Sequence, residues 1–379
     1  MEDTLTPKAR LVTTLAGKIP DCVPVSPDFS NMIPARRTGK PFWDLYLFND
    51  PPIWEAYIET AKYFDIDSLM DGYFPLTFPD EIDEDWNRYI VFRSEERVVT
   101  QKGRKENNRI VWKPFVDVYY RSDPPTEDVT PQQVGLPDIP DKWEPLSGVK
   151  PVDLGPKGIK RIKQLLGDQG LVGVFVASTA VLRNERDIYS YYENPDRHEQ
   201  WAAQRIQEAE ERFNKIMSME EKPDFLCVGG SGSLVFQSLD IFRQLAFPAV
   251  KRVIDLANAA GIPTHVHSCG PEKELVRIFA DETDLTVIDP LEIPPMGDCN
   301  LKELKKLYGH KIVLKGNLHT TKVMLEGSVQ DVIDAAKSAI DEAAEGGRFI
   351  LSTGDQCGRD TPDENLFALV DTARTYGKY

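Results

Sequence analysis

The sequence predicts an α/β chain built as a (β/α)8 barrel, with an N-terminal extension and an antiparallel β insertion. Three observations carry this reading. Short apolar runs alternate with amphipathic segments through the second half of the chain, the pattern of parallel βα units. Two or three earlier runs bring the strand count to about eight, which suits a barrel of ordinary size. Polar, Gly-rich stretches follow the apolar runs, as expected where working residues gather at strand C-termini. A doubly wound open sheet is the alternative. The chain has neither a Gly-x-Gly-x-x-Gly turn after the first strand nor a P-loop, which weakens the nucleotide-binding versions of that fold.

Residues 6–17 begin with a Thr cap and Pro7 and end at Gly17, so they read as a helix. Cys22–Val25 reads as a short strand, 28–50 as an irregular, aromatic-rich segment containing Arg36 and Arg37, 51–63 as a helix and 67–69 as a strand. Between 88 and 121, β-rich runs are separated in part by Lys102-Gly103-Arg104 and Glu106-Asn107-Asn108. This is the expected antiparallel insertion into what is otherwise one domain spanning 1–379. The Pro- and Asp-rich residues 122–157 read as a long ordered loop. Strands are expected at 171–177, 224–228, 264–268, 285–288, 312–315 and 348–352. The helices between them fall at 197–217, 243–260, 271–281, 300–308, 328–345 and 363–377.

The chain has 379 residues, of which 41% are hydrophobic and 28% charged, so a sizeable core is within reach. Its net charge of −16 argues against nucleic acid or an anionic membrane as the main partner, because phosphate binding needs clustered Lys and Arg. Five scattered cysteines do not suggest a disulfide framework. The acidic start Met1-Glu2-Asp3-Thr4 does not read as a signal peptide, and no apolar run is long enough to span a bilayer. A reduced, cytoplasmic protein is the expectation.

Chemistry concentrates in Thr264-His265-Val266-His267-Ser268-Cys269-Gly270. Residues two apart on a strand share a face, so His265, His267 and Cys269 point the same way. His267 and Cys269 make half of a zinc site. Cys357, in Thr353-Gly354-Asp355-Gln356-Cys357, is the best candidate for a third ligand. An N/S/S set favours Zn2+ over Mg2+ or Ca2+, and three ligands with an open fourth position suit a catalytic metal. A lone Cys is usually a small buried hydrophobe and a lone His a hydrogen-bonded structural residue, so the weight lies on the combination. His265, two residues deeper, is a supporting or core residue. His319 is a candidate proton donor or substrate contact. Asp289 and Glu292 are candidates to orient ligands or substrate, with capping of a loop or helix weighed equally. Gly229 to Ser233 suggests an anion seat at a helix N-terminus, and Cys22, Cys227 and Cys299 carry no supporting pattern.

Several phrases resemble the uroporphyrinogen decarboxylase superfamily, and within it the zinc methyltransferases of methanogens and acetogens. They are Leu15-Ala16-Gly17-Lys18-Ile19-Pro20-Asp21-Cys22-Val23-Pro24-Val25, Phe242-Arg243 through Pro248, His267-Ser268-Cys269-Gly270, Lys315-Gly316-Asn317 and Thr361-Pro362-Asp363-Glu364-Asn365 with the C-terminal Tyr376-Gly377-Lys378-Tyr379. The resemblance implies a (β/α)8 barrel with Zn2+ on His267, Cys269 and Cys357. It also implies methyl transfer to or from a cobalamin (corrinoid) carried by a partner protein, since the chain has no Asp-x-His-x-x-Gly corrinoid-binding phrase. Two reactions fit: transfer from a methyl ether to Co(I), as in O-demethylases, or from a methyl-corrinoid to a thiol, as in coenzyme M methyltransferases. The aromatics Phe29, Phe42, Trp43, Tyr46 and Phe48 suggest a roof for an aromatic methyl donor and favour the first, with plain core packing the alternative for each. The metal-free decarboxylase branch fits less well. Its N-terminal Arg-rich phrase for a multiply anionic tetrapyrrole is missing, and Gly229-Gly230-Ser231-Gly232 stands where it places acidic residues. A non-catalytic binding member of the fold is the third class. The expected partners are a corrinoid protein and a small-molecule methyl donor, with a homo-oligomer left open.

Overall fold

The computed structural model describes residues 4–82, 85–107, 109–182 and 184–379. Met1 to Asp3 and Asn108, which entered the sequence reading, lie outside those residues. The chain forms two compact units. One comprises the chain up to Phe29, Ala61–Pro75 and Ile159–Tyr379; the other comprises Ser30–Thr60 and Leu76–Gly158.

In chain order, the first unit supplies β1 (Ser68–Met70). The second supplies β2 (Asn87–Arg93), β3 (Arg97–Glu106), β4 (Arg109–Tyr120), β5 (Thr126–Val129) and β6 (Glu144–Pro145). The first then resumes with β7 (Gly170–Phe175), β8 (Phe225–Cys227), β9 (Thr264–His267), β10 (Val287–Asp289), β11 (Val313–Leu318) and β12 (Phe349–Thr353).

The second unit is an antiparallel sheet in the order β5-β4-β3-β2-β6. Val99, Val116 and Val118 form one apolar cluster, and Leu47, Ile90, Val98 and Tyr119 another. The sheet is larger than the insertion expected at 88–121, because β5 and β6 fall in the stretch read as a loop. Both are mostly exposed edge strands, Thr-Glu-Asp-Val and Glu-Pro. An edge held by backbone pairing needs no apolar face, so it leaves no alternating pattern to read. The segment 28–50 carries two short helices, Met32–Thr38 and Phe42–Tyr46, too short to show a helical period.

In the first unit, the parallel sheet runs β1-β7-β8-β9-β10-β11-β12. Its two edges meet through residues 23–26. On one side Leu351 N donates to Pro24 O at 2.8 Å and Ser26 N donates to Leu351 O at 2.9 Å. On the other, Asp67 N donates to Val25 O at 2.8 Å. This eighth position closes the ring, so the unit is the expected (β/α)8 barrel.

The barrel interior follows the two-residue period of its strands. Leu69, Leu171, Phe225, Val287, Val313 and Ile350 form its apolar floor, joined by Leu11 and Leu15 of the helix Pro7–Leu15. Two residues further along their strands stand Asp71, Asp289, Lys315 and Ser352. The inward face therefore changes from apolar to charged on approaching the C-terminal mouth.

The closing strand is fixed by a buried charge network. Asp67, fully buried, accepts from Arg10 Nη1 at 2.5 Å, Arg374 Nη1 at 2.7 Å and Val25 N at 2.8 Å. One carboxylate thus ties together the first helix, the closing strand, the approach to β1 and the last helix. Removing one partner of a buried ion pair typically costs about 3–5 kcal/mol. Asp67→Ala is expected to lower unfolding stability by about that amount in denaturant titration; a loss under about 1 kcal/mol would show that the network does not hold the seam.

Candidate functional site

The register of β9 and β10 pairs His267 with Asp289 and Val266 with Ile288. His265 and His267 therefore face inward while Val266 is buried on the other side. Asp289, 1% exposed, is the hub of the layer they form. His265 Nε2 donates to Asp289 Oδ1 at 3.0 Å, and His267 Nδ1 donates to the same oxygen at 3.1 Å. The buried Lys315 Nζ donates to Oδ2. Asp71 Oδ2 stands 3.5 Å from His265 Nδ1.

Burial pushes the Asp289 carboxyl up, but Lys315 and the two imidazoles outweigh it and hold the group well below the usual carboxylate range. Burial pulls His267 down, and Asp289 more than reverses it, so the imidazole lies well above its ordinary value. Lys315 is pulled down by burial and raised further by Asp289, Asp71 and Asp28. Asp289 and Lys315 are thus held in their charged forms.

With Nδ1 turned to Asp289, His267 presents Nε2 to the mouth. There it stands 3.6 Å from Asp355 Oδ1. Donor atoms of His267, Cys269 and Asp355 lie within 4.8 Å of one another. Burial raises the Asp355 carboxyl to about 6 against the pull of His267. Asp355 has φ +105°, a left-handed conformation that disfavours a side chain.

Two glycines allow the loops to close around this point. A Cβ at Gly229 would meet His267 N and O at 2.3 and 2.4 Å. At Gly270, where φ is +93°, a Cβ would meet Val235 Cγ2 at 2.4 Å. The Gly270 N–H donates to Glu292 Oε2 at 2.5 Å, and Leu291 N donates to the fully buried Glu272 at 2.7 Å.

The expected residues thus fall in distinct places. His267 and Cys269 converge with Asp355. Cys357 lies further along the same loop, fully buried, and is not part of that converging set. Its N–H donates to Asp28 O at 2.9 Å, and burial pushes its thiol up to about 12, with Thr353 and Thr361 beside it. Asp289 orients both imidazoles, and Glu292 caps the Cys269-Gly270 turn.

His319 Nδ1 accepts from the backbone N–H groups of Thr321 and Lys322 at 3.2 and 3.3 Å, as a cap. The run Gly229–Ser233 forms a turn with the Ser233 hydroxyl directed to Thr179 Oγ1 at 2.5 Å, and no helix starts there. The aromatics are used in packing. Phe29 lies on Phe64 with ring centroids 5.4 Å apart, Phe42 joins Ala35, Leu45 and Ala56, and Trp43, Tyr46 and Phe48 pack around Leu47.

Sequence reasoning did not assign roles to Lys315, Asp71 or Asp28. The first two carry a signal in hindsight: each lies two residues beyond an apolar inward residue, Val313 or Leu69.

The uroporphyrinogen decarboxylase (URO-D) family model matches residues 219–376, which include β8 to β12 and the residues converging at the mouth. A solved structure, a methyltransferase from Methanosarcina mazei, aligns over 98% of this chain and 99% of its own with a TM-score of 0.62 and 19% identity. Over residues 219–376 the chain is similar to the uroporphyrinogen decarboxylase family, and over its whole length its fold is similar to that of the methyltransferase. No curated protein sequence matches the chain. Among the described residues of this URO-D-like chain, no helix is long and apolar enough to cross a membrane.

The Asp289–Lys315 pair is testable as a unit. Lys315→Met alone is expected to destabilise by about 3–5 kcal/mol, because it leaves a buried carboxylate short of its strongest partner. Combined with Asp289→Asn, the loss should be smaller than the sum of the two single losses by about 0.5–3 kcal/mol. Additivity within about 0.3 kcal/mol in a denaturation cycle would show that the two do not act together.

Proposed function

We propose that this URO-D-like chain is a zinc-dependent methyltransferase that moves a methyl group from a methyl ether to the Co(I) corrinoid of a partner protein. The observation that carries the proposal is the convergence of His267, Cys269 and Asp355 at the barrel mouth, with His267 oriented by Asp289. The donor chemistry fits a divalent ion on the soft side of the series. A carboxylate holds one ring nitrogen of the histidine and leaves the other to face a sulfur and an oxygen, as in many zinc sites. His267 and Cys269 would hold the metal; Cys357, which lies outside the converging set, would join them as a further sulfur ligand only by a shift of its loop. Zinc bound there would supply a Lewis acid that stabilises negative charge developing on the leaving oxygen.

The remaining roles belong to the chain. Asp289 fixes the imidazole tautomer and ring plane, Lys315 balances the Asp289 charge, and Glu292 holds the turn that carries Cys269. The choice of methyl donor rests on charge. Asp28, Asp71 and Asp289 act on Lys315, and Asp28 and Glu292 act on Asp355. A mouth rich in carboxylates suits a neutral ether better than an anionic thiol or a multiply charged tetrapyrrole. The similarity to a solved methyltransferase supports the reaction class.

About one zinc per chain is expected by metal analysis. Cys269→Ser and Cys357→Ser should each lose most of it while keeping the wild-type circular dichroism spectrum; full occupancy in either variant removes that sulfur from the ligand set. Mixed with cob(I)alamin and a panel of methoxyarenes, the zinc-loaded chain should give the methyl-cobalt absorbance. Methyl transfer from methylcobalamin to a thiol, with none from any ether, would reverse the proposed direction.

A further inference from the structure

We propose that Asp355 is a ligand of the metal and the one that yields its position to substrate, an inference that rests on the zinc reading above. Three observations meet at this residue. First, its carboxylate belongs to the converging set, whereas Cys357 does not. His267 Nε2, the nitrogen left over by Asp289, stands 3.6 Å from Asp355 Oδ1.

Second, its backbone is held in a conformation that an aspartate does not choose. At φ +105° a side chain is disfavoured and glycine would fit better, although Gly354 comes immediately before it. The loop is pinned on both sides. Gly354 N donates to Leu318 O at 2.6 Å, and Cys357 N donates to Asp28 O at 2.9 Å. A residue kept in an unfavourable conformation between two fixed points, with its side chain among metal-binding atoms, points to a role for that side chain.

Third, the donors differ in how firmly they are held. The His267 ring is anchored through Nδ1, and Cys269 lies on a turn capped by Glu292. The Asp355 side chain is 28% exposed, against 15% for His267, and sits at the solvent edge of the set. A carboxylate is also the hardest of the three donors and so the weakest held by a soft ion. Asp355 is therefore the donor that gives way when an ether oxygen or a thiol approaches.

The test uses the full-length chain with zinc and with Co2+ as a spectroscopic probe. Wild type, Asp355→Asn, Asp355→Ala and Asp355→Gly are compared by competition against a chromophoric chelator, by cobalt d–d absorption and by X-ray absorption at the zinc edge. Zinc affinity should fall on the order of 10–100-fold in Asp355→Ala, with one oxygen scatterer lost and the sulfur count unchanged. Asp355→Gly should show the same loss of affinity and, metal-free, a higher unfolding midpoint than wild type, because the left-handed position is relieved. An Asp355→Ala chain with wild-type zinc affinity and an unchanged cobalt spectrum would overturn the assignment. A wild-type chain that takes up no zinc at all overturns the parent reading instead, so the two failures are distinguishable.

Discussion

One buried carboxylate organises the mouth of this barrel. Asp289 lies in a layer where an isolated charge would be costly, and the structure answers with three donors on its two oxygens. Lys315 alone would neutralise it. The two imidazoles add direction, because each must present an N–H to the same oxygen, and that requirement sets both ring planes. The free nitrogen of His267 is then aimed by a group that is not itself at the solvent edge. A metal-binding or reactive histidine is best oriented in this way, by a rigid acceptor buried behind it.

The same layer explains why the chemistry gathers at one end. Every inward strand position is spaced by two, so a strand that contributes an apolar residue to the floor contributes its next inward residue to the layer above. Val287 is followed by Asp289, Val313 by Lys315 and Leu69 by Asp71. The floor, sealed by Leu11 and Leu15, keeps water from the lower half and lowers the local dielectric beneath the charges. Stability and reactivity thus occupy successive steps of the same strands, which is the division of labour described for barrels of this class.

Much of this arrangement was legible in the sequence where periodicity was strong. The strands of the second half are short apolar runs ended by turns and followed by helices with a full buried stripe, and they lie within a few residues of expectation. The helix Glu185–Glu193, which buries no residue fully, was not among the expected elements. The helix Pro156–Leu166 begins with Pro and has Gly158 in its first turn, so its start reads as loop. At the site, His267 and Cys269 were recognisable from type and spacing. Asp355 was visible only as a neighbour of Cys357, since nothing in a sequence reports a backbone angle. His319 illustrates the opposite difficulty: a polar residue after a strand looks reactive, yet strand exits also need caps, and its ring nitrogen serves two backbone amides.

The seam of the ring has a consequence for how the protein is made. Ser352 Oγ donates to Ser26 O across 326 residues of sequence, and the pairing of Val25 with Leu351 lies beside it. A nascent chain therefore carries this strand through the 326 residues that separate Ser26 from Ser352 before the partner exists. Until then β1 and the early segment have an unpaired edge, the kind of surface that attracts other chains. Completion of the cylinder is necessarily a late, long-range event, and the charges on Arg10, Asp67 and Arg374 stay without their full set of counterparts until the final helix arrives.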